Sequence, residues 1–206
     1  MIIVRIEIRI YFGVNVICEA KRKLSNIFIM IKYNYVKYNK SLKNYMMRIK
    51  EIPELKKIAP QYKTQHPKRV LITCSDSRIP EEIFKENPIG ENFVIRSAGN
   101  LLDQAGKESL KYAIEHLGVR EIVVIGHTHC GAVNAALKNV NGYQYIVSKI
   151  SQYIKKCPNR DPIEANVLGV IDEIKEVLKE FHHGTYEVKI FGYIYDIHNV
   201  ELKQIY

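Results

Sequence analysis

Two short segments concentrate side chains that can do chemistry. "CSDSR" places Cys74, Asp76 and Arg78 within five positions, directly after the apolar run "VLIT" at 70–73. "GHTHCGAV" sets His127 and Cys130 in H-x-x-C spacing, in a turn that leaves a second apolar run. That spacing lets one imidazole and one thiolate converge on a single ion. Cys74 lies 53 residues before His127 and can join them if both runs are strands of one sheet ending at the same edge. One His and two Cys leave the fourth position of a tetrahedral zinc open, which is the catalytic rather than the structural arrangement. H-x-x-C alone is a weak signal, and the paired C-x-x-C knuckles of a zinc ribbon are absent. The competing reading makes Cys74 and Cys130 buried core thiols, but a core strand end has no use for Asp76 and Arg78. A cysteine-phosphatase loop needs five residues between Cys and Arg to cradle phosphate, and here there are three.

The remaining candidates carry less. His129 sits between the two ligand candidates, and the turn directs it away from the ion toward a surface or supporting role. His66, His116, His182, His183 and His198 have no partner pattern and read as structural. Cys18 and Cys157 have no ligand-like neighbours.

Elements must hold these residues in place. "VLIT" (70–73), "FVIRS" (93–97), "EIVVIGH" (121–127) and "YEVKIFGYIYDI" (186–197) read as strands. The first and third are nearly continuous apolar runs, as parallel strands covered on both faces require. Leu110, Ala113, Ile114 and Leu117 follow a helical row closing at Gly118, and Val167, Ile171, Ile174, Leu178 and Phe181 follow another ending before Gly184. Pro80, Glu81 and Glu82 suit the first turn of a helix after "CSDSR". The pattern predicts an α/β fold, a mainly parallel β-sheet flanked by helices. In such folds ligands bind at the carboxyl ends of strands, where both reactive segments fall.

Bulk properties narrow the classes. The chain has 206 residues, enough for one domain with a sizeable core, and a net charge of +9. Residues 1–50 hold 11 Lys/Arg against Glu7 and Glu19, whereas the remaining 156 residues carry 20 basic and 20 acidic side chains. The main body is balanced, so nothing in it suggests a nucleic-acid footprint. Four widely spaced cysteines do not resemble a disulfide scaffold, which favours a reducing cytoplasm. There is no run of 18 apolar residues, hence no expected membrane span. "MIIVRIEIRIYF" is interrupted by Arg5, Glu7 and Arg9, so it lacks a signal-peptide core; Val4, Ile6, Ile8 and Ile10 alternate as in a short strand. Residues 1–45 read as a basic N-terminal extension and 46–206 as the catalytic domain. Three readings of the extension stand side by side: an arm pairing with a partner subunit, a basic amphipathic surface segment, or upstream sequence dispensed with when the working protein starts at Met46 or Met47.

"CSDSR", "FVIRSAGN", "SLKYAIEHLGV" and "GHTHCGAV", in that order, make the chain resemble the β-class carbonic anhydrases over roughly residues 50–200. The resemblance implies one Zn2+ per subunit held by Cys74, His127 and Cys130, and an Asp76–Arg78 dyad. It implies a homodimer, often assembled further, with sites at the subunit interface. It implies a carbon dioxide pocket lined by Gln65, Phe93 and Tyr112, with Ala98 and Gly131 as small pocket positions. The expected activity is zinc-dependent reversible hydration of carbon dioxide to bicarbonate and a proton.

The chemistry fits the residue types. Zinc lowers the pKa of a bound water so that hydroxide exists near neutral pH. Two thiolates cancel the ion's charge, so the activity is expected to rise through a pKa above ~7, the value of a three-His site. Asp76, once ionised, offers only acceptors and can aim the attacking hydroxide. The fork of Arg78 can hold that carboxylate off the metal. Relatives in which the aspartate closes the site often carry a Trp three residues before the first Cys. Here Leu71 stands there, and Thr73 replaces their Gly, so the open form is expected. The rivals are hydrolysis of carbon disulfide or carbonyl sulfide at the same site, and a zinc-binding structural or regulatory relative without turnover.

Overall fold

The computed structural model describes residues 63–80, 83, 90–181 and 187–206. The strand expected at 4–10, the extension 1–45, the helix start at Glu81 and Glu82, Cys18, His182 and His183 lie outside the described residues. Five strands form one sheet: β1 (Arg69–Cys74), β2 (Asn92–Ser97), β3 (Glu121–His127), β4 (Lys189–Asp196) and β5 (Glu201–Gln204). Their spatial order is β2-β1-β3-β4-β5. The first four are parallel, and β5 runs antiparallel to β4. Among the described residues, four α-helices connect and cover them: α1 (Gln104–Glu115), α2 (Gly131–Leu137), α3 (Gln144–Lys156) and α4 (Pro162–Phe181). The expected α/β fold with a mainly parallel sheet is therefore present, with β5, α2 and α3 as further elements.

Local chemistry sets the boundaries. Asp103 caps α1 by accepting the Gly106 N–H at 2.7 Å, and the chain leaves the helix through Gly118 at φ 70. Helix α4 begins at Pro162, five residues ahead of its apolar row. Proline suits a first helical position, and the Asp161 carboxylate accepts the next N–H, that of Ile163, at 2.9 Å. β4 stops at Asp196 because that side chain turns back to accept the N–H groups of His198 at 2.8 Å and Asn199 at 3.1 Å.

The core is divided by the sheet. Val70, Ile72, Ile122 and Val124 pack on α1, α3 and α4 through Leu110, Ile114, Ile150, Val167, Ile171 and Ile174. Leu71, Val123, Ile125, Ile79 and Tyr195 form a smaller cluster. Both sets of alternating strand residues are buried, which is why "VLIT" and "IVVI" are apolar at every position but Thr73.

The helices are also tied by one acid. Glu173 of α4 bonds Lys107 of α1 at 2.7 Å and Lys149 of α3 at 3.0 Å, and accepts the Tyr153 hydroxyl. Burial alone would raise its pKa, but the bonds from Lys107, Tyr153 and Lys149 prevail and hold it below the ordinary 4.5. Tyr153 reaches this position only because residue 169 is glycine: a Cβ there would overlap the tyrosine ring.

Candidate metal centre

Cys74 is the last residue of β1 and His127 the last of β3. These strands are hydrogen-bonded neighbours in register, with Thr73 opposite Ile125, so both side chains leave the same sheet edge. Cys130 stands three residues on, at the start of α2. The three donor atoms lie within 4.8 Å of one another, and all three residues are buried. Among the described residues this is the only cluster of three or more His, Cys, Asp or Glu side chains close enough to share an ion.

The donor set fits zinc on its own chemistry. The Thr128 carbonyl, which can only accept, lies 2.9 Å from His127 Nδ1 and thereby fixes the proton there. The lone pair is then on Nε2, which is buried and has no hydrogen-bond partner. A buried basic nitrogen without a partner is costly in a folded protein and is satisfied by a metal. The two thiols lean the same way. Contact with Cys130 lowers the Cys74 pKa against the cost of burial, helped by His127 and then by the Gly99 N–H, and the same contact together with burial pushes Cys130 up. A thiolate is the form of either sulfur that a metal takes.

The dyad is clasped. Arg78 donates from Nε to Asp76 Oδ1 at 2.9 Å and from Nη2 to Oδ2 at 2.7 Å, and its backbone N–H adds a third bond at 3.0 Å. These bonds hold the Asp76 carboxyl far below the usual carboxylate range. Asp76 Oδ2 is 3.9 Å from His127 Nε2, at the mouth of the cluster. Arg78 also reaches the His129 carbonyl at 3.3 Å, tying "CSDSR" to "GHTHC". His129 itself is exposed at φ 57, its ring 4.8 Å from that of His198.

A family model described as carbonic anhydrase matches residues 69–202. The chain belongs to the β-carbonic anhydrase family. It is 34% identical over 170 residues to a carbonic anhydrase of the cyanobacterium Synechococcus elongatus, covering 69% of this chain and 61% of that relative. The chain therefore spans about three fifths of that relative's length. Its fold matches the β-carbonic anhydrase CcaA with a TM-score of 0.68 at 22% identity, over 82% of this chain and 87% of the other. Tetrameric β-carbonic anhydrases from the ascomycete Sordaria macrospora align at a TM-score of 0.60 and 27% identity, over 84% of this chain and 97% of theirs.

Of the expected pocket residues, Ala98 and Gly131 adjoin Gly99 and Cys130 at the cluster, whereas Phe93 and Tyr112 stand back from it. Gln65 is exposed ahead of β1, and Ala98 is exposed in a 3-10 turn (Ala98–Asn100) after β2. Gly131 is exposed at the start of α2, where an added Cβ would meet open space. Phe93 pairs with Val70, four residues before Cys74 and so about 13 Å back along the strand. Tyr112, on α1, lies beside Phe93 with ring centroids 6.3 Å apart and is 44% exposed.

One residue of the site had no expected role. Arg96 of β2 donates to the carbonyls of Cys74 at 3.0 Å, Asp76 at 3.2 Å and Ile79 at 3.2 Å, and so shapes the loop that carries the dyad. Its signal in the sequence is a lone cation in "FVIRS".

Proposed function

We propose that the chain is a carbonate dehydratase, a zinc enzyme that reversibly hydrates carbon dioxide to bicarbonate and a proton. The observation that carries the reading is the Cys74–His127–Cys130 cluster with a clasped Asp76–Arg78 pair at its mouth. Zinc, when bound, supplies a Lewis acid that makes hydroxide available from water near neutral pH. Cys74, His127 and Cys130 are the residues that hold it, one ion per subunit. Asp76, ionised and acceptor-only, orients the attacking water by its proton and refuses any group that lacks one. Arg78 fixes the carboxylate in one rotamer and keeps its charge turned from the metal. Arg96 freezes the backbone between them.

Phe93 and Tyr112 form an aromatic patch away from the metal of their own chain. It serves as a pocket wall in a homodimer, where a second copy brings its patch to this metal. Gln65, Ala98 and Gly131 complete the carbon dioxide site. Self-association as a dimer or a dimer-based oligomer follows, and the tetrameric fungal relatives support it. Two ligand thiols must stay reduced, which favours a cytoplasmic setting. No described helix is long and apolar enough to cross a membrane. Residues 46–206 are taken as the catalytic domain, since the family match falls within them.

The test is zinc content and stopped-flow carbon dioxide hydration, for the full chain beside one starting at Met47. Both chains should bind one zinc and turn over at similar rates, with activity rising through a pKa above ~7 because two thiolates neutralise the ion. Zinc binding without hydration sinks the enzyme reading, and a rate already flat by pH ~6 contradicts the charge argument.

A further inference from the structure

Four polar side chains are almost fully buried among the described residues: Thr73, Asn100, His127 and Asn166. Asn166 lies on α4 one turn before Val170, and both are buried. A buried amide there costs free energy unless it is bonded, and only half of this one is: its Oδ1 has no partner. What the amide contributes there lies in the bonds it does make.

Those bonds lead to the metal cluster. Asn166 Nδ2 donates to the Gly99 carbonyl at 2.9 Å and to Asn100 Oδ1 at 3.3 Å. The N–H of Gly99 donates to the Cys74 sulfur at 3.4 Å. One residue thus has its carbonyl gripped by α4 while its N–H grips a ligand. The turn has no lateral room. Gly99 sits at φ 72, and a Cβ on it would come within 2.9 Å of Ile150 Cδ1 and 3.1 Å of Ala132 Cβ. With α2 and α3 closing the sides, the bond from Asn166 sets the remaining freedom, the tilt of the Gly99 peptide groups.

We propose that Asn166 is a positioning residue for the metal centre: through the Gly99 carbonyl it aims the Gly99 N–H at the Cys74 sulfur and so limits how much charge that thiolate passes to the metal. An N–H···S bond draws density from sulfur; without it the thiolate donates more strongly and its place is less sharply fixed. The inference rests on the metal-site reading.

The test uses the full chain loaded with Co(II), whose thiolate-to-metal charge-transfer absorption reports the donor strength of sulfur directly. Asn166→Leu keeps much of the volume and removes the amide; Asn166→Ala serves the same purpose if Leu prevents folding. Val170→Ala removes buried volume from the same helix without removing a side-chain hydrogen bond, and so controls for general loosening. The expected result is a shift of the band to longer wavelength in the Asn166 variants, with metal lost to a chelator roughly tenfold faster, and an unmoved band in Val170→Ala. A band unmoved by Asn166 substitution, or moved equally in Val170→Ala, overturns the proposal alone. A native chain that shows no thiolate band overturns the metal-site reading, and the proposal with it.

Discussion

At the scale of single residues the site works by division of labour between neighbours in sequence. In the proposed mechanism Cys74 ligates, Asp76 orients and Arg78 restrains, and Arg78 ties both Asp76 and the His129 carbonyl to its guanidinium. Asp76→Ala should leave zinc bound, because no ligand is touched, while hydration falls by roughly 10- to 100-fold. Turnover equal to that of the native chain, with zinc content unchanged, would remove Asp76 from the mechanism. Arg78→Lys should also lose activity, since an ammonium cannot reproduce the two-pronged contact with both carboxylate oxygens. The Cys74–His127–Cys130 cluster and the Asp76–Arg78 pair were legible in the sequence because reactive types interrupt apolar runs at strand ends, where a core needs none of them. Arg96 and Asn166 were not legible. Their partners are mostly backbone carbonyls, which every residue has, so nothing in the sequence marks the other half of the contact.

At the scale of elements, the helices are fastened to one another as well as to the sheet. Glu173 joins α1, α3 and α4, and replacing it with Gln leaves Lys107 and Lys149 without their acid. The variant should lose about 2 kcal/mol at neutral pH. Because folding depresses the Glu173 pKa below 4.5, its stabilisation is complete above that value and drains away as pH falls through the lower folded-state value. Urea unfolding of the two proteins should therefore differ most near pH 7 and converge under acid conditions. A gap that widened on acidification would contradict the assignment. Gly169→Ala, usually favourable inside a helix, should here destabilise by about 1–3 kcal/mol, since the added methyl meets the Tyr153 ring; calorimetric melting decides the sign. β1 and β3 and the rows of α1 and α4 could be read from periodicity. The Ile146, Ile150, Tyr153 row of α3 has the same helical spacing and was equally readable. α2 spans only seven residues and β5 only four, too few for either period to establish itself.

At the scale of the whole molecule, the separation of the Phe93–Tyr112 patch from the metal cluster makes a distinctive claim about assembly. If a second copy supplies the pocket wall, two dead variants can repair each other. Cys130→Ser lacks a ligand and Phe93→Ala lacks part of the wall, yet a mixed dimer has one site in which both defects are absent. Co-refolding equal amounts should restore roughly a quarter of native activity, as half the dimers are mixed and each has one intact site of two. No gain over the separate variants would place the working site within a single chain. The sequence located the patch through its family likeness, but register alone shows that Phe93 stands about 13 Å back along the strand direction from the level of Cys74.

The pairing of β1 with β3 has a consequence in time. Two of the three ligands approach each other only when strands whose ends are 53 residues apart become neighbours. Such long-range parallel pairing is slow, since chain entropy is lost before contacts reward it. On the proposed metal-site reading, a refolding chain can catch an ion through the His127–Cys130 half early but can lock it only after the sheet closes. Capture should then show two kinetic phases, the slower one keeping pace with the return of sheet structure.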